Sequence, residues 1–264
     1  MPDYARTFLD RAFRVSDPEA RLRTGADLMA FERTAPDAHG NTTIRKIPQG
    51  VTVKVDEVRI IQRGADAPLV FAHARAEDGA AIGWTSSRNF EGKFVNQTLG
   101  SRPPPNNDRK GPHAAWSDGR FVKQLTLVPI VDAALELAYI SADTLQPYVD
   151  MVAAAAADGI TVAINSGFRS YPEQKQLYEG FTRGLPGYNQ AAEPGKSKHQ
   201  NGIAFDISVP GGAGDPCYDW LTRNAPQRGF VRTVNNEPWH WEYDTRAAQA
   251  AVAAGTFKIP RVTN

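Results

Sequence analysis

The sequence predicts an α+β protein: an antiparallel sheet with flanking helices, preceded by a small β unit. Three observations predict it. Residues 41–100 alternate apolar and polar positions between Gly and Pro punctuation, as short strands do. Residues 101–115 form a Pro-rich polar linker, a composition that favours extended, semi-rigid chain and marks a domain boundary. Beyond it, helical and strand periods follow one another, and two imidazoles and a carboxylate stand in two short motifs.

The N-terminal segment, residues 1–40, mixes charge and apolar residues. Glu19–Arg33 reads as a helix with Leu22, Leu28, Met29 and Phe31 as its apolar positions and Asp17-Pro18 as its start, although Gly25 weakens it. In residues 41–100, Ile44, Ile47, Val51, Val53 and Val55 are spaced mostly by two around a Pro48-Gln49-Gly50 turn. Val58–Ile61, Leu69–Ala74 and Ala81–Thr85 follow as further strands. The order Ile-Pro-x-Gly-x-x-Val-x-Val, a strand, Gly-Trp-Thr and then Phe90-Glu91-Gly92 resembles bacterial SH3-like domains, small β-barrels. The resemblance implies a wall-binding module, and a packing module without a ligand fits the same residues. The linker from Ser101 to Pro112 comes next, and residues 116–264 form the second domain.

In that domain Leu145, Val149, Val152 and Ala156 are spaced by three or four, which predicts a helix to Asp158 stopped by Gly159. Thr161–Ile164 is a strand leading into Asn165-Ser166-Gly167-Phe168-Arg169-Ser170. Pro172–Gly180 is a second helix, Phe181–Ser197 a long loop, Pro216–Ala225 a third helix and Phe230–Thr233 a strand.

His199 precedes a predicted strand and Asp206 lies in it; Gly202, Ala204 and Asp206 share one face of that strand, Ile203, Phe205 and Ile207 the other. The large face enters a core and the small face leaves room for a metal. Trp239 and Trp241 alternate with His240 and Glu242, so His240 faces the site while a Trp packs against the domain body. Two His and one Asp leave the fourth position of zinc open, the arrangement of catalytic rather than structural sites. Glu237, ahead of Pro238 at a turn, is free to serve as a base, while Glu242 either supports the ligands from behind or, the preferred reading, lies at the surface. Arg169 follows a strand end and either anchors a carboxylate or pairs with a local acid. The other histidines, His39, His73 and His113, read as surface or structural residues.

Ser-x-His-x-x-Gly-x-Ala-x-Asp (Ser197–Asp206), Glu-Pro-Trp-His (Glu237–His240) and the upstream Ser-Gly-Phe-Arg-Ser-Tyr-x-x-Gln (Ser166–Gln174) together resemble the zinc D-alanyl-D-alanine carboxypeptidases. These share a fold group with lysostaphin and the zinc domain of hedgehog proteins. The resemblance covers roughly residues 120–245. It implies zinc ligation by His199, Asp206 and His240, a base role for Glu237, contact of Arg169 with the substrate carboxylate, and Ser197 and Gln174 as helpers. The implied partner is the stem peptide of peptidoglycan. An endopeptidase of the bacteriolytic or endolysin kind and a non-catalytic zinc-binding wall-recognition protein are the alternatives, the latter opposed by Glu237.

The whole chain sets bounds on these readings. Lys plus Arg is 30 against 29 Asp plus Glu, which argues against a dedicated nucleic-acid binder. No apolar run approaches the roughly 18 residues of a membrane span. The charged start Met1–Arg6 leads into no apolar stretch, so no Sec-type signal is expected. A periplasmic or cell-envelope site of action then calls for a non-Sec route or a removed leader. The single cysteine, Cys217, excludes an intramolecular disulfide and reads as a small buried residue.

Overall fold

A computed structural model describes residues 11–62, 68–91, 108–111, 113–133 and 135–259. The chain divides into two compact units, residues 1–93 with 133–137, and residues 94–132 with 138–264. The expected linker, residues 101–115, lies outside the described residues except for 108–111 and 113–115, and its last two residues already belong to a strand.

In the first unit, β1 (Arg11–Arg14), β2 (Thr52–Ile61), β3 (Leu69–Arg75) and β4 (Ala81–Ser86) form an antiparallel sheet in chain order. Alternation places Val53 and Val55 of β2 in the core, and a register shift between Val55 and Glu57 brings Val58 there as well. A single bridge, Val15 with Phe90, ties the end of β1 to the segment after β4. A closed barrel is not seen among the described residues. The helix expected at Glu19–Arg33 does not form. That stretch is extended and bridges Arg21 to Lys46, Arg23 to Phe31 and to Trp84, and Arg33 to Ile44. Leu22 and Leu28 are buried as expected, but through these bridges rather than one helical face.

The second unit opens with a hairpin, β5 (Ala114–Ser117) and β6 (Arg120–Gln124), and then β7 (Leu127–Val131) pairs with β8 (Leu137–Ser141). Helix α1 (Ala142–Ala157) starts three residues before the expected Leu145, and left-handed Gly159 (φ 73°) follows its end. Strand β9 (Ile164–Ser166) begins three residues later than expected, with Val162 and Ala163 buried ahead of it. Helix α2 (Tyr171–Thr182) opens with a capping box: Ser170 Oγ accepts from Glu173 N, and Ser170 N donates to Glu173 Oε2 at 2.7 Å. Strand β10 (Ala204–Ile207) follows the long loop, then α3 (Pro216–Asn224), β11 (Phe230–Arg232), β12 (His240–Tyr243) and α4 (Thr245–Ala253). Asp215 caps α3 and Asp244 caps α4. Cys217 is buried in the first turn of α3.

The site rests on an antiparallel sheet of order β11-β12-β10-β9. Phe205 and Trp241 point away from the site into the core, stacked against Tyr148 and Phe257 respectively. Burying one such side chain contributes roughly 1.5–3 kcal/mol. The register pairs Asp206 with His240 and Ala204 with Glu242, so two site residues face each other on adjacent strands. Among the described residues, no helix is long and apolar enough to cross a membrane.

Candidate metal centre

His199, Asp206 and His240 come together, each offering one atom within 4.8 Å of the others. The three arrive by different local devices. His199 sits in a 3₁₀ turn, Lys198–Asn201, whose N-cap Ser197 accepts from His199 N through Oγ at 3.3 Å. Gly202 ends that turn in the left-handed conformation (φ 66°), where an added Cβ would meet Ser141 Cβ at 3.0 Å. The motif glycine is therefore a turn terminator and not a member of the strand face, as the sequence pattern suggested. Asp206 lies in β10 with its side chain on the face shared by Ser166 and His240. His240 enters through a turn in which its N–H donates to Glu237 O at 3.1 Å. Pro238 occupies the second position of that turn, where its fixed φ fits, and the turn brings Glu237 back beside His240.

Asp206 Oδ1 lies 3.2 Å from His199 Nε2 and 3.2 Å from His240 Nδ1. Zinc bonds of roughly 2.0–2.2 Å place neighbouring donors of a tetrahedron about 3.3–3.6 Å apart, close to these separations. His199 Nδ1 meets Gly167 O at 2.7 Å, which makes it the protonated nitrogen and turns the lone pair of Nε2 inward. His199 Nε2 is buried and has no hydrogen-bond partner. An orphaned imidazole lone pair beside a carboxylate and a second imidazole suits a divalent cation, so the donor set fits zinc.

Arg169 Nη2 pairs with Asp206 Oδ2, and Arg169 Nε donates to Ser166 Oγ at 2.9 Å. Of the two readings of this residue, the local acid it meets is thus Asp206 itself, 37 positions along the chain. Ser197 stands at the N-cap beside His199. Gln174 is fully buried in α2 and donates through Nε2 to Ala192 O at 2.7 Å. Glu237 Oε2 is 3.8 Å from His240 Nδ1, and its side chain keeps 23% exposure, the largest in the group.

Glu242, expected at the surface, is 2% exposed. Its Oε1 lies 3.3 Å from His240 Nε2 and accepts from Thr233 Oγ1 at 2.7 Å. A carboxylate behind a ligating imidazole fixes ring orientation and raises basicity. The signal was available in the strand period, since residues 240 and 242 share a face.

Burial draws His199 down to about 4, with the Arg169 charge acting in the same direction, so the ring is neutral. Burial opposes ionisation of Asp206 too, but its contacts with His199, Arg169 and His240 outweigh it and hold the carboxyl well below its ordinary value. Burial also lowers His240, yet the hydrogen bonds its ring donates to the Asp206 and Glu242 carboxylates overcome it and raise the ring to about 9. Glu237 is raised, chiefly by burial. Of the remaining histidines, His73 bonds Asp56 at 2.6 Å within the first unit, a structural role.

His199, Asp206 and His240 are thus a group that could hold a metal ion, with the Glu237 carboxylate beside them. Residues 137–246 match the model of the VanY family, D-alanyl-D-alanine carboxypeptidase. A D-alanyl-D-alanine carboxypeptidase of Enterococcus faecalis is 33% identical over 124 residues, 38% of this chain and 46% of the relative. A putative carboxypeptidase of Bacillus subtilis, YodJ, is 29% identical over 162 residues, 51% of this chain and 58% of the relative. The chain thus spans about half the length of these curated relatives. A solved vancomycin-resistance D,D-pentapeptidase VanY variant in complex with Zn(II) aligns with 25% identity and TM-score 0.43, over 54% of this chain and 93% of that one.

Proposed function

We propose that the chain is a zinc-dependent D-alanyl-D-alanine carboxypeptidase that trims peptidoglycan stem peptides outside the cytoplasmic membrane. The observation that carries the reading is the convergence of His199, Asp206 and His240 within 4.8 Å, with Glu237 held over them by its turn. The family match over residues 137–246 supports the substrate class. His199, Asp206 and His240 hold the metal, which supplies a Lewis acid and a nucleophile at neutral pH. Glu237 Oε2 takes the proton of the attacking water and returns it to the leaving amine. Its raised pKa makes it a stronger base than an exposed glutamate. Arg169, with its charge beside Asp206, receives the terminal carboxylate of the substrate, and the Ser197 hydroxyl assists.

Zinc binding should release a proton. His199 is neutral and Asp206 ionised near neutral pH, but His240, at about 9, still carries its proton. Without metal, the raised pKa adds stability that is complete below about pH 6.5 and lost as pH rises through about 9. Zinc competes with that proton, so apparent zinc affinity rises with pH up to about 9 and then levels. Calorimetric titrations at pH 7.5 in two buffers of different ionisation enthalpy should show about one proton released per zinc. Zero release would contradict the assignment of His240.

Amidation of the substrate tests the carboxypeptidase reading. A charge-assisted contact is worth about 1.5–3 kcal/mol, so a C-terminal amide should lower kcat/KM by roughly 10- to 150-fold. Arg169→Ala should lower hydrolysis of both substrates, because it also releases Asp206, but more for the free acid. That coupling is read as non-additivity in a double-mutant cycle. Equal cleavage of acid and amide, or additive losses, would favour an endopeptidase that places further residues in this end of the cleft.

A further inference from the structure

The segment after α2, residues 183–197, has the length and the Gly and Pro content of a mobile loop, yet it is tied down from both sides. At its start the Tyr188 ring covers Gly180 of α2, where an added Cβ would lie 1.8 Å from the ring. At its end two buried glutamines hold consecutive stretches of backbone. Gln174 Nε2 donates to Ala192 O at 2.7 Å, and Gln200 Oε1 accepts from Gly195 N at 2.6 Å. Gly119 N, at the tip of the β5–β6 hairpin, donates to Gly195 O at 3.0 Å, and Lys196 N to Glu193 O at 2.9 Å. Both glutamines are 0% exposed. Each amide orientation is dictated by its partner, since a carbonyl needs a donor and an N–H needs an acceptor.

The other ends of these amides, Gln174 Oε1 and Gln200 Nε2, are buried without a hydrogen-bond partner. Buried unpaired polar groups cost stability, and an apolar pair of the same shape would avoid that cost. The two glutamines are therefore not explained as stabilisers of the core. What they fix is the path of residues 192–195, which leads within four residues to Ser197 and His199.

We infer that Gln174 and Gln200 are positioning residues: a two-point clasp that makes the 183–197 loop a fixed wall of the substrate cleft rather than a lid. The role of the wall toward substrate rests on the carboxypeptidase reading; the clasp itself does not. On this account Gln174 acts on the stem peptide through Ala192 and not by direct contact.

Hydrogen exchange on the full chain tests the clasp without substrate. The Gly195 amide should be protected in the unmodified protein, and Gln200→Met should speed its exchange by about tenfold or more. Gln200→Glu keeps an acceptor oxygen for Gly195 N and should restore protection. Gln174→Met should loosen residues 190–193 and raise proteolytic nicking of the loop. With stem peptide, both Met variants should raise KM more than they lower kcat. Exchange of Gly195 at the free-peptide rate in the unmodified protein overturns the clasp, whether or not the variants fold. Loosened loops with unchanged KM overturn the wall. A protein with a protected Gly195 that hydrolyses no stem peptide would instead refute the functional reading alone.

Discussion

Glu237→Ala is expected to retain its metal and lose about 10²–10⁴-fold in kcat, the usual loss on removing a general base. That is roughly 2.7–5.4 kcal/mol of transition-state stabilisation. The separation of the two effects follows from geometry. Glu237 is 3.8 Å from His240 Nδ1 and outside the triad whose donors lie within 4.8 Å of one another. It sits on a turn with 23% of its side chain exposed, so truncation leaves the sheet intact. Burial raises its pKa, so the acid limb of kcat/KM should lie above the ordinary glutamate value. As pH falls through that limb Glu237 is protonated and activity falls with it. A variant that loses zinc would make Glu237 a ligand; one that keeps full activity would give the base role to another group.

Substitution of the ligands should abolish zinc binding, but with unequal effects on the metal-free fold. Asp206 is the shared counter-charge of the cluster, facing Arg169, His199 and His240. In Asp206→Ala the mostly buried Arg169 and the protonated His240 lose that partner. Stranding a buried charge costs about 3–5 kcal/mol. His199 is neutral, so His199→Ala removes a ligand without stranding a charge. Urea denaturation in the presence of chelator should therefore rank Asp206→Ala well below His199→Ala, while elemental analysis finds both free of zinc. Equal stabilities would mean that Arg169 and His240 find other partners, and full zinc in either variant would remove that residue from the ligand set.

Much of this site was legible because its chemistry is local in sequence. The His-x₆-Asp spacing and Glu-Pro-Trp-His name four residues, and the structure brings those four together. The turn at Pro238 was legible from the fixed φ of proline. Helices α1, α2 and α3 announced themselves through period, Pro and cap residues. What was missed depends on distant backbone or on weak periodicity. Gly167 O, which sets the His199 tautomer, is a main-chain atom that no side-chain pattern reports. The Arg169–Asp206 pair joins residues 37 apart. Strand β6 is exposed along its whole length, so it shows no alternation. Glu19–Arg33 read as a helix on a loose apolar pattern, but bridges to Lys46, Ile44 and Trp84 bury Leu22 and Leu28, which lie six positions apart and off a single helical face.

Mass spectrometry of muropeptides tests the central claim most directly. The zinc-loaded protein, incubated with pentapeptide muropeptides, should release one terminal D-alanine and leave tetrapeptides. The reaction should stop with chelator, resume with zinc and fall by about 10²-fold or more in Glu237→Ala. Cleavage inside the stem or cross-bridge, or binding of muropeptides with no bond cut by the zinc-loaded protein, would contradict it.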